Sequence, residues 1–543
     1  VDFDLVISKG TVVDGTGKQR FRADIGIRSG RIAAVADHER LSGAKEIDAT
    51  RLIVAPGFID IHSHSDWYLP LPYHDDVLAP MVLQGTTTMV TGQCGFSPAP
   101  VTEESVPLVD AVSEMIRYAP FSYDWSTMAE YMDAIESQGL LLNAAFLVGH
   151  GTLRYAVMGA RANGGDPSPS ERAAIADLAR QALKEGAVGV STGLGYEPGM
   201  YAGTQELLDL LTAIADEGGY YAPHSRSYSL VSPLYAAEVS IPTNVLSTRE
   251  QLELAQQAGV QLQLSHLLFH GRNTWPTYRT VLADVERAAE AGLDVAFDSF
   301  PYTFGNTTIN VNFPKWFLQG LPDSADNPEA LLRLKQEMTQ RNKLVGREFE
   351  DITLMSSGPA DLPELEGLDF AAIARRLDLS EFDSYVYVAR ASRGKATIMM
   401  DTYSGDANSE EPLRAILAHP RCAFMLDAFI ARQGKQNAAA FGAFPRLLGH
   451  YSRDLGLLSL EETVRKMTSF SAQRIGFNDI GEIAEGKWAD LVLFDPETIA
   501  DNTTKERPDA PPTGIHSVLI SGHVVARQGR LLGDVRRGRV LRR

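Results

Sequence analysis

Apolar and polar positions fall into two regimes along the chain. Up to about residue 54, short β-rich runs at 4–7, 11–13, 23–28 and 31–35 are separated by the turn signals Asp14-Gly15-Thr16-Gly17 and Ser29-Gly30. They predict a small β-structure. From Gly57 onward, strand-like runs alternate with helical ones, the signature of βα units around a parallel sheet. Eight strand candidates lie at 58–64, 87–94, 143–150, 187–192, 220–224, 261–266, 294–302 and 422–427. The helices between them carry start and stop signals. Ser168-Pro169-Ser170-Glu171 reads as a capping box with Pro at the first helical position, closed by Gly186. Ser247-Thr248-Arg249-Glu250 reads as a second, closed near Gly259, and Thr204 opens a helix over 206–217 before Gly218. Eight βα units predict an α/β fold, a (β/α)8 TIM-like barrel rather than an open sheet, with functional groups at the C-terminal ends of the strands.

Residues 303–421 fall outside the eight-fold count but hold strand-like runs at 351–356 and 396–401. They read as an inserted subdomain near the barrel mouth, serving either as a lid and specificity element or as an oligomer contact. After residue 427 come helical segments, and 481–494 starts a second β-rich stretch. Two β-rich ends around one barrel would pair into a single small β-sandwich. The expected plan is 1–54 for the N-terminal portion of the sandwich, 55–302 for the first seven barrel strands, 303–421 for the insertion, 422–480 for the barrel end and 481–543 for the C-terminal portion of the sandwich.

Composition narrows the partners. The formal charge of −19 is spread along the 543 residues and repels phosphate backbones, so nucleic acid is not expected. No apolar run reaches the length that crosses a membrane, and no signal-peptide pattern precedes residues 4–7. The two cysteines, Cys94 and Cys422, are far apart and form no disulfide framework, which fits a reducing compartment and a cytoplasmic location. A homo-oligomer stays open.

Candidate chemistry sits where the barrel reading puts it. The run Gly57-Phe58-Ile59-Asp60-Ile61-His62-Ser63-His64 ends in two histidines at i, i+2, which on a strand share a face. The other strand ends carry Cys94, His150, His224, His266 and Asp427. Imidazole is the commonest ligand for zinc and similar metals, so this convergence predicts a metal site at the barrel mouth.

These residues carry a recognisable pattern. Pro56 to His64 and Gly486 to Phe494 resemble the amidohydrolase superfamily. Gly92-Gln93-Cys94-Gly95, Gly189-Val190-Ser191-Thr192-Gly193-Leu194, Tyr196-Glu197-Pro198-Gly199, Phe444 to Tyr451 and Ala510 to Val518 resemble its N-acyl-D-amino-acid deacylases (D-aminoacylases). The resemblance spans nearly the whole chain and implies a barrel inside a β-sandwich made from both chain ends. It implies one tight zinc at Cys94, His224 and His266, and a second, weaker site at His62, His64 and Asp427. Cys94 would take the place of the carboxylated lysine found in many amidohydrolases, and zinc favours a thiolate there. Asp427 would act as general base and then acid. Tyr196 and Tyr302 match positions lining the substrate pocket. His150 would orient substrate or a ligand, or be a structural histidine.

Three departures qualify the match. D-aminoacylases read His-Leu-Lys after the sixth strand, where the lysine pairs with a substrate carboxylate; here Leu268 follows His266-Leu267. Either Arg226, Arg272 or His270 replaces that cation, or the substrate has no carboxylate there. The family's Ser-Asp-Gly is Leu426-Asp427-Ala428, and Ser225-Arg226-Ser227 lacks the acidic residue often found after His224. The resemblance thus implies a zinc-dependent hydrolase of a non-peptide amide, an N-acyl (D-)amino acid or related N-acyl amine, with a small-molecule substrate as its partner. A cyclic amide, urea or carbamate is the alternative substrate. A non-catalytic scaffold is a remote one, since scaffolds of this kind usually lose the ligands that survive here.

Overall fold

The computed structural model describes residues 3–37, 41–235, 240–321, 323–533 and 536–543. Its centre is a sheet of eight parallel strands in sequential order. They are β1 (Phe58–Asp60), β2 (Thr86–Thr91), β3 (Asn143–Gly149), β4 (Gly189–Gly193), β5 (Tyr220–His224), β6 (Gln261–Leu264), β7 (Val295–Ser299) and β8 (Cys422–Phe424). All their residues are buried except Gln261 and His224, as expected of strands covered on both faces. The seam between β8 and β1 is drawn together by two bonds beyond the strand ends. Asp427 N donates to the His62 carbonyl at 3.1 Å, and Leu426 N donates to Asp60 Oδ1 at 2.9 Å.

Several strands stop earlier than their apolar runs suggest. The 58–64 candidate is strand only to Asp60, 87–94 ends at Thr91, 261–266 at Leu264, 294–302 at Ser299 and 422–427 at Phe424. For three of the five the reason is local. Cys94, His266 and Asp427 have φ of 56°, 35° and 45°, a left-handed conformation that no strand accommodates. His62 and His64 therefore converge from a loop past β1 rather than from one strand face.

The Ser168 capping box is formed. Ser168 Oγ accepts Glu171 N at 3.3 Å, Glu171 Oε2 accepts Ser168 N at 2.7 Å, and the helix runs over Pro169–Lys184. The second expected start is corrected. That helix is Thr243–Ala258, and Ser247 and Thr248 lie inside it, where Thr248 Oγ1 bonds back to the Asn244 carbonyl instead of capping. The helix at Thr204–Asp216 starts two residues earlier than expected, with Gly203 at its N-cap.

The chain ends meet as expected. Leu491–Phe494 pairs antiparallel with Ile53–Pro56, which continues through Leu5–Val12, Phe21–Arg28 and Arg31–Asp37 into one nine-stranded sheet. The sheet folds back on itself where Ile32 N donates to the Lys487 carbonyl at 2.9 Å, enclosing Ile7, Ile25, Ile27, Leu491 and Leu519. The runs at 4–7 and 11–13 are one strand with a bulge between Ile7 and Gly10, where Lys9 takes φ 59°. Two boundaries shift. Ile53–Pro56 belongs to the terminal sheet, and Val540–Leu541 leaves it to pair parallel with β3 of the barrel.

The insertion holds a three-stranded antiparallel sheet, with Thr397–Met400 between Gly305–Thr308 and Ile352–Ser356. Its Leu334, Phe370, Tyr385 and Ile398 join the same apolar core as the barrel. It docks on the loop after β6. Gly271 N donates to the Thr402 carbonyl at 3.2 Å, and Arg272 bonds Asp351 at 2.8 and 2.9 Å and Asp406 at 3.0 Å. The helix Glu411–Ala418, placed by sequence in the insertion, packs instead on β8. No described helix is long and apolar enough to cross a membrane.

Candidate metal centre

The sequence around Cys94 is built to hold a strained turn. Gly92, Cys94 and Gly95 all take positive φ, which glycine accepts freely and cysteine accepts at a cost of about 1–2 kcal/mol. Ser191 on β4 clasps the turn at both ends, accepting Gly95 N at 2.9 Å and donating to the Gly92 carbonyl at 2.5 Å. Gln93 Nε2 ties it to the Ile61 carbonyl at 2.9 Å, beside His62. Tyr196 donates to the Cys94 carbonyl at 2.8 Å. The thiol is thereby aimed into the barrel mouth.

Around Cys94 Sγ stand His62 Nε2 at 3.3 Å, His266 Nε2 at 3.4 Å and His224 Nδ1 at 3.6 Å. His224 Nδ1 and His266 Nε2 are 2.9 Å apart. Asp427 Oδ1 lies 3.6 Å from His62 Nε2 and 3.5 Å from His64 Nε2. Three overlapping ligand groups result: Cys94, His224 and His266; His62, His64 and Cys94; and His62, His266 and Asp427. A tetrahedral ion with Zn–N and Zn–S bonds near 2.05 and 2.3 Å needs ligand atoms about 3.3–3.6 Å apart. Most of the measured separations meet that requirement, and the donor set of thiolate, imidazole and carboxylate suits zinc. Cys94, His62, His64 and His266 are buried, whereas Asp427 and His224 are partly open toward the mouth.

The electrostatics point the same way. Burial alone would push the Cys94 thiol up, but the charges of His62 and His266 outweigh it and hold the thiol well below its ordinary value. Burial works against His62 too, yet Cys94 and Asp427 lift it well above the ordinary imidazole value. Burial likewise opposes the hydrogen bonds to Asp427 and Cys94 that lift His64 to about 9. Asp427 is held low by His62 and His64 despite burial. His224 is lowered by burial and by His266. The cluster thus stabilises two anions with protonated imidazoles, a balance that a divalent cation would take over by displacing those protons.

An amidohydrolase family model matches residues 45–222 and 400–526. The D-aminoacylase of Alcaligenes xylosoxydans xylosoxydans is 34% identical over 100% of this chain and 98% of its own. The chain belongs to the amidohydrolase family. A solved D-aminoacylase, studied for a binuclear metal centre with one-metal activation and second-metal attenuation, superposes with a TM-score of 0.81 at 32% identity over 100% of both chains. The N-acyl-D-glutamate deacylase of Bordetella bronchiseptica, solved with zinc and a phosphonate mimic of the tetrahedral intermediate, gives 0.81 at 30% identity, again over 100% of both. This protein is accordingly a metal-dependent amidohydrolase, an enzyme with the barrel and an attached β-domain.

Within this amidohydrolase the residues read from sequence divide cleanly. His62, His64, Cys94, His224, His266 and Asp427 come together. Tyr196 is at the cluster, its ring 4.7 Å from His224 and stacked on Phe96. His150 is turned to another task. Its Nε2 meets Glu206 Oε1 at 2.8 Å, and Arg154 grips the same carboxylate at 2.5 and 2.6 Å, all three buried. Tyr302 donates to Asp501 Oδ2 at 3.0 Å, and none of its contacts among the described residues reaches the cluster. Arg226 is not a spare cation. Its Nε bonds Glu250 at 2.9 and 3.0 Å, and its other nitrogens donate to the Met200 and Ala202 carbonyls. Arg272 is likewise committed to Asp351 and Asp406.

Other contributors went unread. Asp298 on β7 accepts His266 N at 2.6 Å and stands 3.6 Å from His62 Nδ1, so one carboxylate positions two of the histidines. Tyr228 packs 5.1 Å from both His224 and His266, and Phe429 packs 5.0 Å from His64. Asp298 was findable as the carboxylate near the end of the seventh strand. Tyr228 and Phe429 carry no sequence signal.

Proposed function

We propose that this enzyme deacylates an N-acyl amino acid, with a D-amino acid as the amine portion. Its relatives bear the names of D-amino-acid deacylases across the full chain, and the observation that carries the reading here is Asp427 beside the Cys94, His224 and His266 group. Those three residues would hold the tight zinc, and His62 and His64, with Asp427, a second and weaker one. When bound, zinc lowers the pKa of water and polarises the scissile carbonyl. Asp427 Oδ1, partly open to the mouth and held as carboxylate by His62 and His64, takes the proton of the attacking water. The same oxygen then delivers that proton to the leaving nitrogen, which departs as an amine only once protonated. Tyr196 keeps the Cys94 turn in place through the Cys94 carbonyl. The free, buried Cys94 thiol fits a reducing, cytoplasmic setting.

The test is hydrolysis by zinc-loaded protein of N-acetyl-D-leucine, its L-enantiomer and its neutral carboxamide. Cleavage of the D-acid well above the other two is expected. Equal or better cleavage of the carboxamide would remove the amino-acid reading while leaving the amidohydrolase in place.

A further inference from the structure

His224 and His266 are each tied to the barrel on their outer sides. Just past β4, Leu194 N donates to the His224 carbonyl at 3.0 Å, and His266 N donates to Asp298 Oδ1 on β7 at 2.6 Å. Between the two histidines the strand pairing runs out. β5 and β6 are in register at Tyr220 with Gln261 and at Tyr221 with Leu262. The next bond up is Ser265 N donating to the Pro223 carbonyl at 3.2 Å, one residue short of each histidine. His266 then turns into the left-handed region, with φ 35°. Strand geometry therefore does not set the spacing of the two imidazoles.

Tyr228, in the loop after β5, spans that gap. Its hydroxyl accepts Ser225 N at 2.8 Å, one residue after His224. The same hydroxyl donates to the Ser265 carbonyl at 3.3 Å, one residue before His266. A phenol oxygen can donate once and accept as well, so one atom serves both loops. Ser225 and Ser265 are both buried. The Tyr228 carbonyl accepts His270 N at 2.8 Å, which ties the loops together again farther out. The ring stands edge-on to both imidazoles, with planes crossing at 90° and 64°. The imidazoles framed in this way present Nδ1 of His224 and Nε2 of His266 at 3.6 and 3.4 Å from Cys94 Sγ.

We propose that Tyr228 is a positioning residue for the metal: its hydroxyl joins the loops after β5 and β6 and sets the spacing at which His224 and His266 meet the ion with Cys94. The inference rests on the reading above that these three residues hold the tight zinc. A ligand pair already in place binds without first gathering two loops, and groups that orient metal ligands typically govern about 10–100-fold in affinity. Tyr228 and Asp298 then restrain His266 from opposite sides.

Wild type, Tyr228→Phe, Tyr228→Leu and a control, Tyr385→Phe, would be stripped of metal and reloaded with zinc or cobalt(II). Zinc affinity by chelator competition, the cobalt absorption spectrum and the melting temperature would be compared. Tyr385 is buried in the insertion, where its hydroxyl donates to the Ile309 carbonyl and accepts Asn312 Nδ2 at 2.9 Å. Its ring packs on Phe313, Phe349 and Phe370 and on no metal ligand, so the control loses a like pair of bonds elsewhere. Zinc affinity is expected to fall about 10-fold in Tyr228→Phe and about 10²-fold in Tyr228→Leu, which also loses the ring. The cobalt ligand-field bands should shift in both. Tyr385→Phe should keep wild-type affinity and spectrum whatever its melting temperature. Should Tyr228→Leu fail to fold, Tyr228→Phe, which loses a single oxygen, carries the comparison. A folded Tyr228→Phe with wild-type zinc affinity and an unchanged cobalt spectrum would overturn the proposal and leave Tyr228 as packing. A wild-type cobalt protein without a sulfur-to-metal charge-transfer band would instead bring down the Cys94, His224 and His266 assignment, and this inference with it.

Discussion

Removing the Cys94 thiol should loosen the metal more than any other single change that leaves the barrel intact. Cys94 Sγ belongs to two of the three ligand groups and stands within 3.6 Å of three imidazole nitrogens. Zinc bound by four ligands in a small protein is worth about 10–16 kcal/mol, or about 3 kcal/mol for each ligand. Loss of one ligand should then weaken binding about 10²-fold, and the loss of negative charge from a buried site adds to that. The side chain is small and the turn is held by Ser191, Gln93 and Tyr196 through backbone atoms, so Cys94→Ala should fold. Competition against a chromophoric chelator gives the affinity, and elemental analysis gives the occupancy. Cys94→Ser, which keeps an oxygen donor, should fall between wild type and Cys94→Ala. A Cys94→Ala protein with wild-type zinc affinity and full occupancy would refute the reasoning.

Two further predictions concern what holds the site. Glu206 is held at about 2, because the His150 and Arg154 bonds outweigh its burial, against an ordinary value of 4.5. A depressed acid contributes stability above the unfolded pKa and loses it as pH falls from 4.5 toward 2, here about 3 kcal/mol. Glu206→Gln should thus lower the melting temperature by about 3–4 °C at pH 7, since a chain of this size unfolds with about 1.1 kcal/mol per degree and a broken buried pair costs about 3–5 kcal/mol. It should also flatten the acid limb of the stability curve, and an unchanged limb between pH 5 and 3 would contradict the assignment. Gly193→Ala would place a Cβ 2.3 Å from the Cys94 carbonyl oxygen and 2.5 Å from the Tyr196 ring. The Cys94 turn must then shift, at about 1–3 kcal/mol, and zinc affinity should drop more than 10-fold. Native affinity and melting temperature in this variant would count against a tightly held turn.

The barrel was legible because buried parallel strands are long apolar runs whose last residues are the ones chemistry uses. All eight were located, and six metal-site candidates were read from their ends. The ends themselves were misread in a consistent direction. Residues such as Cys94, His266 and Asp427 follow a strand in sequence but leave it in conformation, and composition does not show a positive φ in a non-glycine residue. Only the flanking Gly92 and Gly95 hinted at it. Polar positioning is less legible still. The Ser247 motif looks like a cap but lies inside a helix, because the packing of Thr243–Ala258 decided the start. Arg226 and Arg272 looked like free cations because their acidic partners lie 24, 79 and 134 residues away.

The central claim is that Asp427 moves the proton while Cys94 and the histidines hold the metal. Asp427→Asn keeps the shape and removes the charge, so zinc content and turnover of this variant, measured on one preparation against N-acetyl-D-leucine, separate the two roles. The account predicts that at least one zinc per chain stays bound while kcat falls about 10²–10⁴-fold. Near-wild-type turnover by the zinc-loaded variant would contradict it.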